Sequence, residues 1–400
     1  MMPSANQAQK HENALAVVLA LAMVPALGLG FARFAYALVL PDMRADLHWS
    51  YADAGWMNTS NGIGYLLGAL LASRLLRVVS AYRMMVVNIW IVVISLALCA
   101  VFRDVFLLNF ARFLAGLSAG LAFVAGGLLA TGLAQRHPER SSVILGIFYS
   151  GPGIGIFISG LVLPFLIDRL GAGSWPYAWA ALALLAAPLA LLLFGARGQT
   201  VTLYKPDQKN GHYRVGYKQM GWILAGYLFV GAGYIAYMTF MIAWVQNSGG
   251  SAMLQSGFWL VIGFGAISSP WLCAGIQKKL LHGRAFALLS LITMTASLLP
   301  IFSSGFAVLM ISAASFGCAF FAVVASTTVY VRRNLPPQGW AAAIGMMTVM
   351  FSIGQIFGPV LIGLINDLTH NLSSGLWASA ALLLLAVVCG VAQRDLTPAQ

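Results

Sequence analysis

Residues 106–133 read FLLNFARFLAGLSAGLAFVAGGLLATGL. Twenty-seven of these 28 residues are uncharged, and the one exception is Arg112. As a helix rising 1.5 Å per residue, the run outspans the roughly 30 Å hydrocarbon layer of a bilayer. A helix is required because lipid offers no partners to exposed backbone amides and carbonyls.

Similar runs lie on both sides of it. The apolar content places spans at 14–40, 52–72, 84–102, 106–133, 141–167, 176–195, 220–245, 254–275, 285–302, 306–330, 341–365 and 375–392. The expected fold class is therefore all-α integral membrane, with twelve transmembrane helices. Composition agrees: 60% of the residues are hydrophobic and 8% charged, against about 25% charged in a soluble domain. The period-two alternation of a membrane barrel is absent. The first run is too long for a cleaved signal peptide, and Arg33 precedes the cleavage-like Ala35-Tyr36-Ala37.

The net charge of +12 sits in connections between spans and reads as topology, not nucleic-acid binding. With the N-terminus inside, seventeen Lys and Arg fall in inner segments and three, Arg44, Arg103 and Arg169, in outer ones. The positive-inside rule then expects a multi-pass protein of the inner (cytoplasmic) membrane with both termini cytoplasmic. Trp49, Trp175, Trp222 and Trp340 stand at span ends, as in an interfacial aromatic belt. Cys99, Cys273, Cys318 and Cys389 form no Cys-x-x-Cys pair and have no His at ligand spacing. No metal, cofactor or nucleotide-binding loop is expected, and no cluster supports an enzyme. A sensor would carry a soluble module, for which these loops are too short.

The longest polar connection divides the chain into a six-helix half at 1–196, a basic linker at 197–219 and a second half at 220–400. Features recur between the halves at near-constant offsets. Gly30 and Ala35-Tyr36 match Gly231 and Ala236-Tyr237; Gly146, Gly155 and Asp168 match Gly345, Gly354 and Asp367; Trp56 and Gly62 match Trp259 and Gly265. Duplicated halves around a central site are a transporter architecture.

Three motifs carry a family resemblance. Arg112 to Gly120 looks like the Arg-x-x-x-Gly signature of the major facilitator superfamily. Gly146 to Gly155 is similar to its Gly-Pro antiporter motif. The loop at Gly68 to Arg77 is a degenerate form of its loop signature, with Ser73 in place of the usual Asp. Gly28-Leu29-Gly30-Phe31-Ala32-Arg33-Phe34-Ala35-Tyr36, followed by Leu40-Pro41-Asp42-Met43, resembles the YbfB/YjiJ-like branch. The resemblance implies two pseudo-symmetric halves, a monomer, and a small-molecule substrate moved by alternating access. It also implies a central cavity lined in part by spans one, four and seven.

Only Arg33 and Arg112 carry charge well inside spans. Each lies about 12 Å from the outer end of its helix, so two guanidiniums at one depth are expected to hold an organic anion by bidentate bonds. Tyr36 beside Arg33, Asn58 and Asn61 on one face of span two, Tyr149, Tyr234, Tyr237 and Gln355 complete the expected substrate-binding set. Tyr65 follows the two asparagines along span two. No Asp, Glu or His lies mid-span; Asp53 and Asp104 at the outer rim are the possible coupling acids. The alternative reading is efflux of hydrophobic compounds, suggested by the Gly-Pro motif and the aromatic content.

Overall fold

The computed structural model describes residues 5–200 and 215–396. Most of the expected basic linker, 201–214, lies outside the described residues.

Among the described residues, twelve long helices are present: α1 (Ala14–Asp46), α2 (Tyr51–Leu75), α3 (Ala81–Val101), α4 (Val105–Arg136), α5 (Ser141–Leu170), α6 (Trp175–Gly195), α7 (Gly221–Asn247), α8 (Ala252–Leu272), α9 (Arg284–Phe302), α10 (Phe306–Asn334), α11 (Pro337–Thr369) and α12 (Leu372–Ala392). All but α2 are apolar enough along their length to cross a membrane. The polar stretch Asn58-Thr59-Ser60-Asn61 lowers the hydropathy of α2, which is tolerated because its groups find partners. Thr59 donates to the Ile356 carbonyl at 2.6 Å, and Asn61 to the Arg112 carbonyl at 3.1 Å.

Several helices outrun the expected spans. α1 reaches Asp46 instead of residue 40, α10 reaches Asn334 instead of 330, and α11 covers Pro337–Thr369 instead of 341–365. Apolar content marks where lipid ends, whereas a helix persists until its backbone turns. Gly171 at φ 82° stops α5, and His370 at φ 52° stops α11.

The two sets of six helices repeat one packing scheme. α2 lies on α4 as α8 lies on α10; α3 on α6 as α9 on α12; α1 on α5 as α7 on α11. The sets meet along α2 with α11 and α5 with α8. Of the recurring glycines, Gly30, Gly155, Gly231 and Gly354 are close-approach points of this scheme, whereas Gly345 faces open space. A Cβ on Gly30 would sit 2.5 Å from the Gly155 Cα, and one on Gly354 would press on the backbone of α7 beside Gly231. At the α2/α4 contact, Gly64 and Gly68 face the carbonyls of Phe113 and Leu117, while Gly116 and Gly120 face those of Asn61 and Tyr65. Small residues let helix backbones meet in lipid, where no hydrophobic effect drives association. Gly116→Leu is therefore expected to prevent folding. Fluorescence-detected size exclusion should show the monodisperse peak lost for this variant and kept for Gly257→Ala, whose Cβ meets open space.

The molecule has an acidic end, with Asp42, Asp46, Asp53, Asp104, Asp168 and Asp367 at helix termini, and a basic end with Arg74, Arg77, Arg136, Arg140, Lys278, Lys279, Arg332 and Arg333. Acids at the first end satisfy backbone amides. Asp42 accepts from Gly173 and Trp175 at 2.8 and 2.7 Å, and Asp46 from the Trp175 indole at 2.8 Å. Asp367 of α11 accepts from the Tyr51 and Ala52 amides at 2.8 and 2.9 Å, which clasps the start of α2 across the two sets.

Candidate functional site

The site begins in the backbone of α1. From Ala26 to Phe34 the chain widens into a π-helix, a geometry frequent at functional positions because it re-aims side chains. The small residues of ALGLG allow this stretch to wedge between its neighbours: Gly28 abuts Ala119 of α4, and Gly30 abuts Gly155 of α5. Arg33 leaves the π-helix toward the boundary between the two sets.

Its guanidinium occupies space vacated by a missing side chain. A Cβ on Gly62 of α2 would stand 3.5 Å from Arg33 Nη2 and 3.5 Å from Ile356 Cγ1 of α11. The guanidinium carbon lies 5.8 Å from the centre of the Tyr65 ring. Arg33 is 2% exposed, and its Nε and Nη2 are sealed from solvent with no hydrogen-bond partner. Asp42, Asp46 and Asp53, the acids nearest along the chain, are turned at the acidic end to the Gly173 amide, the Trp175 indole and the Ser50 amide. An unpaired buried charge is costly, so a cation held this way is poised for a counter-charge.

Across the boundary stand aromatic rings. Tyr227, Phe351, Tyr234, Phe320, Phe316 and Tyr237 form a nearly parallel ladder. Successive centroids are 4.6, 5.4, 3.9, 5.8 and 3.9 Å apart, and interplanar angles run from 10° to 23°. Gln355 donates to the Tyr234 hydroxyl. Tyr65 lies within electrostatic range of Arg33, Tyr234 and Tyr149. Tyr149 is 51% exposed, contacts Phe123, and feels the charge of Arg332.

Arg112 does not join Arg33 as a second free guanidinium, which corrects the expected pair. It is fully buried, and its three nitrogens donate to the Ala32 carbonyl, the Met57 carbonyl (3.4 Å) and Asn58 Oδ1 (3.2 Å). Tyr36 and Trp179 lie 5.1 and 5.3 Å from its charge. The physical reason is the local backbone: α1 and α2 present carbonyls to this depth of α4. Arg112 thus braces the residue next to Arg33, and the two charges still sense each other. Arg112→Ala takes the donor from Asn58 Oδ1 and a second bond from the helix carbonyls of Ala32 and Met57, and a buried acceptor left without a donor typically costs about 1–3 kcal/mol. A fall of several degrees in melting temperature is expected, larger than for any Arg33 substitution; equal losses would contradict the bracing role.

The remaining candidates divide by position. Tyr234 lies within electrostatic range of Arg33, and the Gln355 carbonyl stands beside Gly62, which Arg33 also approaches. Asn58 bridges the two sets, taking its bond from Arg112 and donating to Thr239 of α7 at 2.7 Å. Asn61 holds the α4 backbone, and Tyr36 donates to the Ala54 carbonyl at 2.9 Å and stacks on Trp179; both face inward among α1–α6, away from the gap. Tyr237 is buried, with its hydroxyl 2.6 Å from that of Ser312 on α10. Asp53 closes a capping box with Ser50, and Asp104 caps α4 by accepting from Leu107 at 3.0 Å. Tyr65, Phe320 and Phe351 lay outside the expected set. Tyr65 was within reach of sequence reasoning, since it shares a helix face with Asn58 and Asn61. Phe320 and Phe351 carry nothing that separates them from lipid-facing phenylalanines. Among the described residues no group of His, Cys, Asp and Glu is arranged to hold a metal.

Two repeating sets of long apolar helices with a charge at their boundary are an architecture of membrane transporters. A family model described as an uncharacterised MFS-type transporter, YbfB, matches residues 25–391, and the chain belongs to that family of the major facilitator superfamily. A curated relative from Bacillus subtilis (strain 168), multidrug resistance protein 1, is 26% identical over 394 residues, covering 91% of this chain and 92% of the relative. The crystal structure of a mutant of the nucleoside transporter NupG superposes with a TM-score of 0.72 at 14% identity, covering 94% of this chain and 99% of that one. A bacterial homologue of the human lysosomal transporter Spinster, in an inward-facing and occupied conformation, also gives 0.72 at 15% identity, covering 96% and 98%. At such identities the structural likeness speaks for the fold. Family and neighbours are transporters, not enzymes, and membership implies a small-molecule substrate and a place in the membrane.

Proposed function

We propose that the protein is a secondary transporter that carries a small organic anion across the inner membrane by alternating access between its two halves, with Arg33 as the anion's ligand. The observation that carries this reading is the sealed, unpartnered Nε and Nη2 of Arg33 at the boundary of the halves. Tyr234 and Gln355 complete the binding wall from the second half. The basic end is read as cytoplasmic, on the distribution of Lys and Arg, which puts both termini inside and the Asp367 clasp on the outer face. The division near 197–219 and a monomeric state belong to the same reading.

A second reading, export of hydrophobic compounds, draws on the aromatic ladder and on the name of the Bacillus relative. A thermal-shift experiment on the purified protein separates the two, because a ligand of the native state raises its apparent stability. Acetate, benzoate and succinate are the anionic probes, and tetraphenylphosphonium the hydrophobic cation. The anion reading expects at least one carboxylate to stabilise the wild type but not Arg33→Gln. Stabilisation by tetraphenylphosphonium alone would move the export reading ahead.

A further inference from the structure

From the chemistry around Arg33, and resting on the anion reading above, we infer that the substrate is an aromatic monocarboxylate: one negative charge on a flat ring.

The single charge follows from the bonding of the two arginines. Arg33 has donors to give, whereas each nitrogen of Arg112 is committed to the Ala32 carbonyl, the Met57 carbonyl or Asn58. No Lys lies within any of the twelve helices at this depth. A short dianion would bring a second charge to the depth of Arg33, where Arg112 is committed and Arg332 lies only beyond Tyr149, and an uncompensated charge in a low-dielectric site is strongly disfavoured. A neutral solute would leave Arg33 as it stands, buried and unpaired.

The flat body follows from what borders the fork. Tyr65 faces the guanidinium carbon at 5.8 Å, and its ring is followed by Phe123 at 6.3 Å and Tyr149 at a further 6.2 Å. On the other side Phe351 and Tyr234 present the ladder, 5.4 Å apart and 12° from parallel. Tyr65, Phe123 and Phe351 are all only partly buried, so ring surface remains to be covered. A carboxylate in the plane of the Arg33 fork carries its attached ring between these two walls. Aromatic pairs gain from offset or edge contact beyond the area they bury, an increment that a puckered aliphatic ring of the same size does not collect.

The test compares four probes by isothermal titration on the purified protein: benzoate, cyclohexanecarboxylate, terephthalate and benzamide. Benzoate is expected to bind about two- to tenfold tighter than cyclohexanecarboxylate. Terephthalate and benzamide should each bind at least about tenfold more weakly than benzoate. In Tyr65→Leu, and independently in Phe351→Leu, benzoate should lose more affinity than cyclohexanecarboxylate, so that the benzoate preference collapses. Equal binding of the two monocarboxylates would overturn the aromatic class and leave Arg33 as an anion ligand. Terephthalate binding as tightly as benzoate would overturn the single-charge argument. Benzamide matching or exceeding both monocarboxylates would overturn the anion reading itself, and silence from all four probes would overturn both.

Discussion

Replacement of Arg33 by alanine is expected to abolish carboxylate transport in proteoliposomes while the protein still inserts and runs as a single species. Arg33 gives no hydrogen bond from Nε or Nη2 to the protein, so its removal breaks no such bond and relieves an unpaired buried charge. What it removes is the anion's partner, and losing one member of a desolvated charge pair costs about 2–5 kcal/mol, more than roughly thirtyfold in affinity. Arg33→Lys keeps the charge without the planar fork, so it should retain weak transport with a raised KM. Normal transport by the alanine variant would end the role assigned to Arg33. So would a variant that fails to insert, since that would make Arg33 structural.

The second large effect concerns Asp367. Its carboxylate clasps the Tyr51 and Ala52 amides at the start of α2, from the other half of the molecule. Gly363, one turn back, lets the Tyr51 backbone come close enough for this. A carboxylate at a helix N-terminus adds a favourable dipole interaction to its hydrogen bonds. On the alternating-access reading proposed above, opening at the acidic end breaks this clasp. Asp367→Ala is therefore expected to favour opening at the acidic end by about 2 kcal/mol, roughly thirtyfold in the equilibrium. Spin labels at Phe106 and Met253, both exposed at that end, would report it in a cysteine-free background as a longer distance distribution. An unchanged distribution would show that the clasp does not set the balance between states.

The architecture was largely legible because the bilayer imposes it. Twelve runs long enough to cross, joined by connections of alternating charge, leave one arrangement of helices. Even α2 was visible as a run, although its polar centre lowers its hydropathy. Two of the glycine pairs repeated between halves, Gly30 with Gly231 and Gly155 with Gly354, proved to be the contact points of α1 with α5 and of α7 with α11, while Gly345 faces open space. Helix ends were less legible, since caps such as His370 at φ 52° answer to backbone geometry and not to apolar content.

The site was legible only in part. A charge amid apolar residues singles out Arg33 and Arg112 alike, and nothing in their flanking sequence separates a free guanidinium from a saturated one. That difference depends on carbonyls brought up by α1 and α2, and on a π-helical stretch that no periodicity announced. Asp53 and Asp104 read as possible coupling acids because they are rare charges near the membrane; their side chains are occupied with capping α2 and α4. Asp367, equally rare, joins the two halves, and its partners lie more than 300 residues away in sequence.

The most direct measurement is an experimental structure with 4-bromobenzoate bound, the bromine located by its anomalous signal. The carboxylate is expected about 2.7–2.9 Å from Arg33 Nε and Nη2, with the brominated ring between Tyr65 and Phe351. A ligand found elsewhere in the molecule, or an Arg33 paired instead with a carboxylate of the protein, would contradict this.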